Sequence, residues 1–312
     1  MKKLLTLLIV CSTMIAYGQQ ENQYTQFMYN QLVLNPAYAG ARGITTFQAL
    51  YRGQWLGFEK PPSTKLLSFN TPLFGDKVGL GLSVANYTHG IHDIWTGSMA
   101  YAYNVKITKE TSFRFGIQGN IRNYTIDFSD PTVRTNQNFD PSVTANGALN
   151  TTTGNFGVGI YLSHKQMYFG VSVPSIYPND IGINPTSRET AEEEPHLYAM
   201  AGTLIPINSK VDFKPAVLFK RVNNAPIDLD FNVSFVFDKK ITGGISYRIG
   251  GDSGGDSIDA LFMFQYGSIA FGVSYDYGLS QLNDFHDGSI EALVRYDFLK
   301  ERNDIANPRF FF

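Results

Sequence analysis

The residues that could do chemistry are few, and none stands in the pattern that chemistry needs. Five histidines are spread singly at His89, His92, His164, His196 and His286. His89 and His92 are three apart, a spacing that suits two metal ligands on a helix, but they fall in a predicted hairpin and read as turn residues. There is no His-Glu-x-x-His pair, no phosphate-cradling Walker loop and no serine on a nucleophile elbow. Gly250 to Asp259 looks like a calcium-binding Gly/Asp repeat, yet it occurs in one copy where such sites need stacked turns, so it reads as a flexible loop. Glu189 and Glu192-Glu193-Glu194 read as the solvated face of another long loop. With no nucleophile paired to a base at a readable spacing, the expectation is a protein that is not an enzyme, with no catalytic residue, metal or cofactor.

Composition points to a membrane. Charged residues make up only 17% of the 312 residues while aromatics reach 14%, and the formal net charge of -2 gives no field that favours nucleic acid. The N-terminus reads as a secretory signal: Lys2 and Lys3, then an apolar run from Leu4 to Ile15, then Ala16-Tyr17-Gly18 with small residues placed for cleavage after Gly18. That run is too short to span a bilayer, which takes about 20 residues. Cys11, the one cysteine, lies inside the signal. No later segment has 18 consecutive apolar residues, so a membrane form of this chain has to be a barrel.

The elements that would build it alternate with period two. Pro226 to Asp238 sets Ile227, Leu229, Phe231, Val233, Phe235 and Phe237 against Asp228, Asp230, Asn232, Ser234, Val236 and Asp238, a strand with one apolar and one polar face. Fourteen such candidates run from Ile44 to Phe298, the first two alternating poorly. Connections after even-numbered strands are mostly short (His164-Lys165, Asp238-Lys239, Gly267), and those after odd-numbered strands mostly long (Trp55–Pro62, Asp127–Gly154, Pro174–Pro195, Leu279–Gly288). Short periplasmic turns, long external loops and an even strand number mark outer-membrane barrels, and the pattern fits a periplasmic N-terminus. The polar face carries Gly, Ser and Ala with Arg114, Arg122, Lys214, Asp228, Asp230, Arg248, Arg295 and Asp297, residues a lumen can hold. Gln19 to Gly43 has no clear period, and its apolar residues need cover.

Several stretches carry a more specific signal. Gln26-Phe27-Met28-Tyr29-Asn30, Leu34-Asn35-Pro36-Ala37-Tyr38-Ala39-Gly40, Tyr51-Arg52-x-Gln54-Trp55-x-Gly57-Phe58, Leu67-Ser68-Phe69-Asn70-Thr71-Pro72, Val78-Gly79-Leu80-Gly81, Arg295-Tyr296-Asp297-Phe298 and Asn307-Pro308-Arg309-Phe310-Phe311 occur in this order. Together they resemble the PorP/SprF family of Bacteroidota. The resemblance implies an outer-membrane β-barrel of the type IX secretion system and of gliding motility. It also implies partners: a secreted or surface adhesin with a C-terminal sorting domain, periplasmic secretion components, or both. It carries no catalytic residues.

The resulting expectation is an all-β, antiparallel transmembrane barrel of about 14 strands with an N-terminal non-barrel segment, in contact with outer-membrane lipid and not with nucleic acid. Its parts are a signal peptide (1–18), a plug or periplasmic segment (19–43), the barrel (44–298) and a tail (299–312). Phe27, Met28, Tyr29, Asn30, Asn35, Pro36, Tyr38 and Gly40 are the candidate plug or partner-binding residues. A diffusion porin, general or for hydrophobic substrates, is the rival reading.

Overall fold

The structure, a computed structural model, describes residues 23–130, 148–181, 192–223, 225–250 and 256–299. The expected signal peptide, the C-terminal tail motif and residues 251–255 of the Gly250–Asp259 loop lie outside these residues.

Fourteen strands form the wall. They are β1 (Thr45–Gly53), β2 (Ser63–Leu73), β3 (Val78–His89), β4 (His92–Lys106), β5 (Thr111–Asp127), β6 (Ala148–His164) and β7 (Met167–Val173). The second half comprises β8 (His196–Thr203), β9 (Val211–Val222), β10 (Asp228–Phe237), β11 (Ile241–Ile249), β12 (Ser257–Tyr266), β13 (Ile269–Gly278) and β14 (Ser289–Phe298). Each pairs antiparallel with its sequence neighbours, and β1 pairs with β14 from Thr45↔Phe298 to Gly53↔Ile290, which closes the barrel. Closure is what hydrocarbon demands, because an open edge would leave peptide groups with no water to bond.

Burial along β10 inverts that of a soluble sheet. Asp228, Asp230, Asn232 and Ser234 are buried, while Phe231, Val233, Phe235 and Phe237 are exposed. The apolar face therefore points outward to lipid and the polar face into the lumen. The same holds on β12, where Ile258, Phe262 and Phe264 face out and Asp259, Leu261 and Met263 face in. The weak alternation of β1 and β2 has a cause. Their inward faces mix Gln48 and Arg52 with Leu50 and Leu66, which pack on a segment inside the barrel.

One boundary differs from the sequence expectation. β6 starts at Ala148, not near Asn155, because Asn150 to Thr153 are polar on both faces and show no period, yet pair with Asn123 to Thr125 and Arg122 of β5. β7 is only seven residues long, and the chain then turns into the lumen. There the Pro174 carbonyl accepts from Gln118 Nε2 at 2.9 Å and Asn120 Nδ2 at 3.1 Å, and Asn155 Oδ1 accepts the Ile176 and Tyr177 N–H groups at 3.0 and 3.1 Å. His89 and His92 do face each other across a tight hairpin, their rings stacked 4.5 Å apart.

The outward assignment makes a direct prediction. Phe262 sits mid-strand on the lipid face. Phe262→Arg is expected to cost about 2–4 kcal/mol of folding free energy, the depth-dependent cost of a cation facing lipid. Urea titration of folding into liposomes measures it, and a cost under about 1 kcal/mol would place Phe262 away from lipid.

Candidate functional site

The feature that distinguishes this barrel from an empty tube is the chain ahead of β1. Residues 24–42 fill the lumen as three short turns: Phe27–Tyr29 and Pro36–Tyr38 as 3-10 turns, and Gln31–Leu34 as one turn of α-helix. Nearly every residue is buried, polar ones included. Turns this short have few internal hydrogen bonds, so the wall must supply partners for their backbone groups.

The first anchors lie at the long-loop end. Glu291 of β14 accepts the Thr25 N–H at 3.0 Å and the Gln26 N–H at 2.9 Å, one on each carboxylate oxygen. Thr25 Oγ1 donates to Asp276 of β13 at 2.7 Å and accepts from Arg52 Nη1 of β1 at 2.6 Å. Arg52 also pairs with Asp276 at 2.7 Å and with Glu291 at 3.5 Å. The segment then crosses to the short-turn end, where Arg42 pairs with Asp297 at 2.5 Å and Arg295 approaches the same carboxylate at 3.2 Å. So β1 starts at the short-turn end, as the loop lengths imply, but the described N-terminal residues begin at the opposite mouth.

Between these anchors, residues 34–40 run across the strands along a belt of small side chains. The belt follows the register Gly79↔Ala102, Ala102↔Gly116, Gly116↔Gly159 and Gly159↔Ser172, from β3 to β7. Ser172 Oγ donates to the Leu34 carbonyl at 2.6 Å. Side chains on the glycines would collide with the segment. A Cβ on Gly159 would lie 2.2 Å from Asn35 Oδ1, one on Gly116 2.1 Å from the Ala37 nitrogen, and one on Gly79 1.9 Å from the Ala39 oxygen. Backbone thus lies directly on backbone, which only glycine allows.

The Asn35–Gly40 motif is legible residue by residue in this setting. Asn35 is extended, as a residue before proline must be, and its Oδ1 caps the turn by accepting the Ala37 N–H at 2.9 Å. Its Nδ2 donates to the Ile160 carbonyl of β6 at 3.0 Å. Pro36 occupies the first turn position, where no N–H is needed. Tyr38 meets Tyr161 edge to face at 5.6 Å. Gly40 has φ +71° and its N–H donates to Asn70 Oδ1 at 2.6 Å. Phe27 and Met28 are buried in the same core, Lys214 sits 4.2 Å over the Tyr29 ring, and Asn30 Oδ1 accepts from Gln48 Nε2 at 3.2 Å. All eight candidate residues therefore lie in one buried lumenal segment.

Sequence reasoning missed the receiving side. Asp276, Glu291 and the belt glycines were not singled out as partners of this segment. A signal did exist: small residues recur at inward positions of consecutive strands, beyond what a merely polar lumen requires. Among the described residues no three His, Cys, Asp or Glu side chains converge as a metal site would need.

The family model described as type IX secretion system membrane protein PorP/SprF matches residues 16–296. The chain belongs to this family. No curated protein matches it in sequence. Among solved structures, the Pseudomonas putida toluene transporter TodX is similar at 9% identity over 86% of this chain and 93% of that one, TM-score 0.52. A TodX deltaS2S3 mutant, a monoaromatic hydrocarbon channel, is similar at 10% identity over 86% and 94%, TM-score 0.52. A Pseudomonas aeruginosa FadL homologue is similar at 12% identity over 91% and 96%, TM-score 0.47. At these identities the TodX likeness shows the fold alone. This PorP/SprF member is accordingly an outer-membrane β-barrel of a type IX secretion family.

The belt predicts a sharp contrast. Gly79→Leu with Gly116→Leu should displace residues 34–40 and open the segment to protease in detergent, while the barrel stays folded by circular dichroism. Gly97→Leu should not, since a Cβ there meets nothing within 4 Å. Equal protease resistance in all three proteins would remove the belt's role. Glu291→Ala strands two buried N–H groups and should destabilise the protein by about 2–4 kcal/mol, at roughly 1–3 kcal/mol per orphaned donor with partial relaxation.

Proposed function

We propose that this barrel serves type IX secretion by engaging an exported polypeptide, with residues 23–43 acting as a plug that seals the lumen and shapes the surface the partner meets. The observation that carries the reading is the filled lumen: residues 24–42 occupy it from one mouth to the other and are bonded to the wall at both ends. Family membership supplies the secretion context. Such a barrel is suited to holding or displaying cargo, such as an adhesin with a C-terminal sorting domain, and to contacting periplasmic secretion components. A signal peptide cleaved after Gly18 would bring the chain to the outer membrane.

The channel reading finds less support. TodX is a toluene transporter, but the cavity at the long-loop end of this barrel is lined by Arg52, Arg248, Asp256 and Asp276. That is a poor path for an apolar solute, since an apolar guest would strip water from those charges.

Gentle detergent extraction of the tagged protein from its native outer membrane, with identification of what co-purifies, tests the proposal. The expected result is a large surface protein with a C-terminal sorting domain or secretion components, lost when residues 23–40 are deleted from a barrel that still inserts. Planar bilayers should show almost no conductance for the intact protein and open channels for the deletion. Recovery of the barrel alone after crosslinking, together with steady conductance, would overturn it in favour of a porin.

A further inference from the structure

The long-loop end holds a cavity of about 360 Å³, bounded by Gln23, Arg52, Trp55, Tyr87, Asp256 and Asp276 among others. Its charge is unbalanced. Among the described residues, three cations, Arg52, Lys220 and Arg248, and six carboxylates, Asp228, Asp230, Asp256, Asp259, Asp276 and Glu291, stand around and just beneath it. The cations are already engaged: Arg52 with Asp276 and Glu291, Arg248 with Asp230 at 2.6 Å and Asp276 at 4.0 Å, and Lys220 with Asp228 at 3.6 Å. Among the described residues, Asp256 and Asp259 have no cation at ion-pair distance.

Asp259 is the sharper anomaly. It is fully buried, its carboxylate oxygens make no hydrogen bond of good geometry, and only Arg248 and Ser257 act on it favourably from nearby. It faces inward on β12 directly opposite Asp276 of β13, one inward position below Ser257, which lines the cavity as Asp276 does. A buried carboxylate without a partner is costly, and Asp276 beside it, though held by Arg52 and Thr25, adds a like charge. The arrangement lacks a positive charge with N–H donors. The walls suit an organic one. Trp55 stacks on His286 at 6.4 Å and meets Phe58 edge-on at 6.3 Å, and the Tyr87 ring lines the cavity nearby. Aromatic faces above a carboxylate floor bind guanidinium and ammonium groups. A metal ion fits less well, since no three ligating side chains converge among the described residues.

We propose that this cavity binds an arginine or lysine side chain presented by another polypeptide at the cell surface, its charged head reaching toward Asp256, Asp259 and Asp276 and its stem against Trp55. The inference rests on the secretion reading only in supposing that the polypeptide is exported. The site itself follows from the unpaired carboxylates.

Calorimetry of the full chain in detergent tests it with N-acetyl-Gly-Arg-Gly-amide and its citrulline counterpart, which keeps the shape and loses the only charge. The arginine peptide should bind, at least tenfold tighter than the citrulline peptide, and more weakly as salt is raised. Asp259→Asn and Asp256→Asn should each weaken the arginine peptide at least tenfold. Should Asp259→Asn fail to fold, Asp256→Asn at the cavity wall decides. Equal affinity for the two peptides, no binding of either, or unchanged affinity in the folded variants would overturn the site. Arginine binding that persists while nothing co-purifies from cells would keep the site and remove the secretion reading. Full partner recovery with both Asp variants, neither peptide having bound, would do the reverse.

Discussion

The structure depends first on the need to satisfy every peptide group where no water is available. That need closes the sheet through the β1–β14 pairing and sends the apolar side chains of each strand outward. Closure then creates a second problem. Eight strands enclose a space that their own side chains can fill, whereas fourteen enclose more. The inward side chains here are often glycine, alanine or serine, so they fill even less of it. The volume is taken up by chain, and residues 24–42 are that chain.

Filling a lumen with irregular backbone raises the same hydrogen-bonding requirement again, now inside the wall. The barrel meets it in two ways. Side chains from the wall accept or donate directly to the segment's main chain: Glu291 to Thr25 and Gln26, Asn70 to Gly40, Ser172 to Leu34. The segment's own Asn35 reaches back to a wall carbonyl. Glycines along the belt bring the two backbones close enough for these bonds to form. The buried pairs Arg52–Asp276 and Arg42–Asp297 add little net stability by themselves, since desolvation offsets most of their attraction. Their effect is positional, because any other placement of the segment would leave buried charges without partners.

The fold was largely legible and the site only half so, for physical reasons. A barrel strand declares itself through period two, and β10 from Asp228 to Phe237 does so without exception except Val236. Strands that pack on the segment declare themselves poorly, because Leu50, Leu66 and Ala102 make an inward face look apolar. β6 was read short because Asn150 to Thr153 pair by backbone, which leaves no mark in side-chain polarity. The motif Asn35–Gly40 stood out as a string, and its demand for cover was readable from its apolar residues. Its partners were not, because they come from six different strands, β2 to β7. Register across strands that far apart in sequence becomes visible only when the sheet is closed.

That distribution of partners constrains how the molecule comes together. Thr25 and Asp276 are 251 positions apart, and Thr25 and Glu291 are 266 apart. The belt is complete once β3 to β7 have paired, so residues 34–40 can settle on a half-built wall. The Glu291 and Asp297 anchors exist only when β14 is in place, and β14 is also the strand that seals the barrel against β1. β1 carries Arg52, which joins Asp276, Glu291 and Thr25 across that seam. The last strand pairing and the final docking of the segment are therefore one event. A barrel that closed around an undocked segment would hold Arg52, Asp276 and Glu291 close together without Thr25 and Gln26 between them. The charges at the seam thus favour sealing the wall with the lumen already filled.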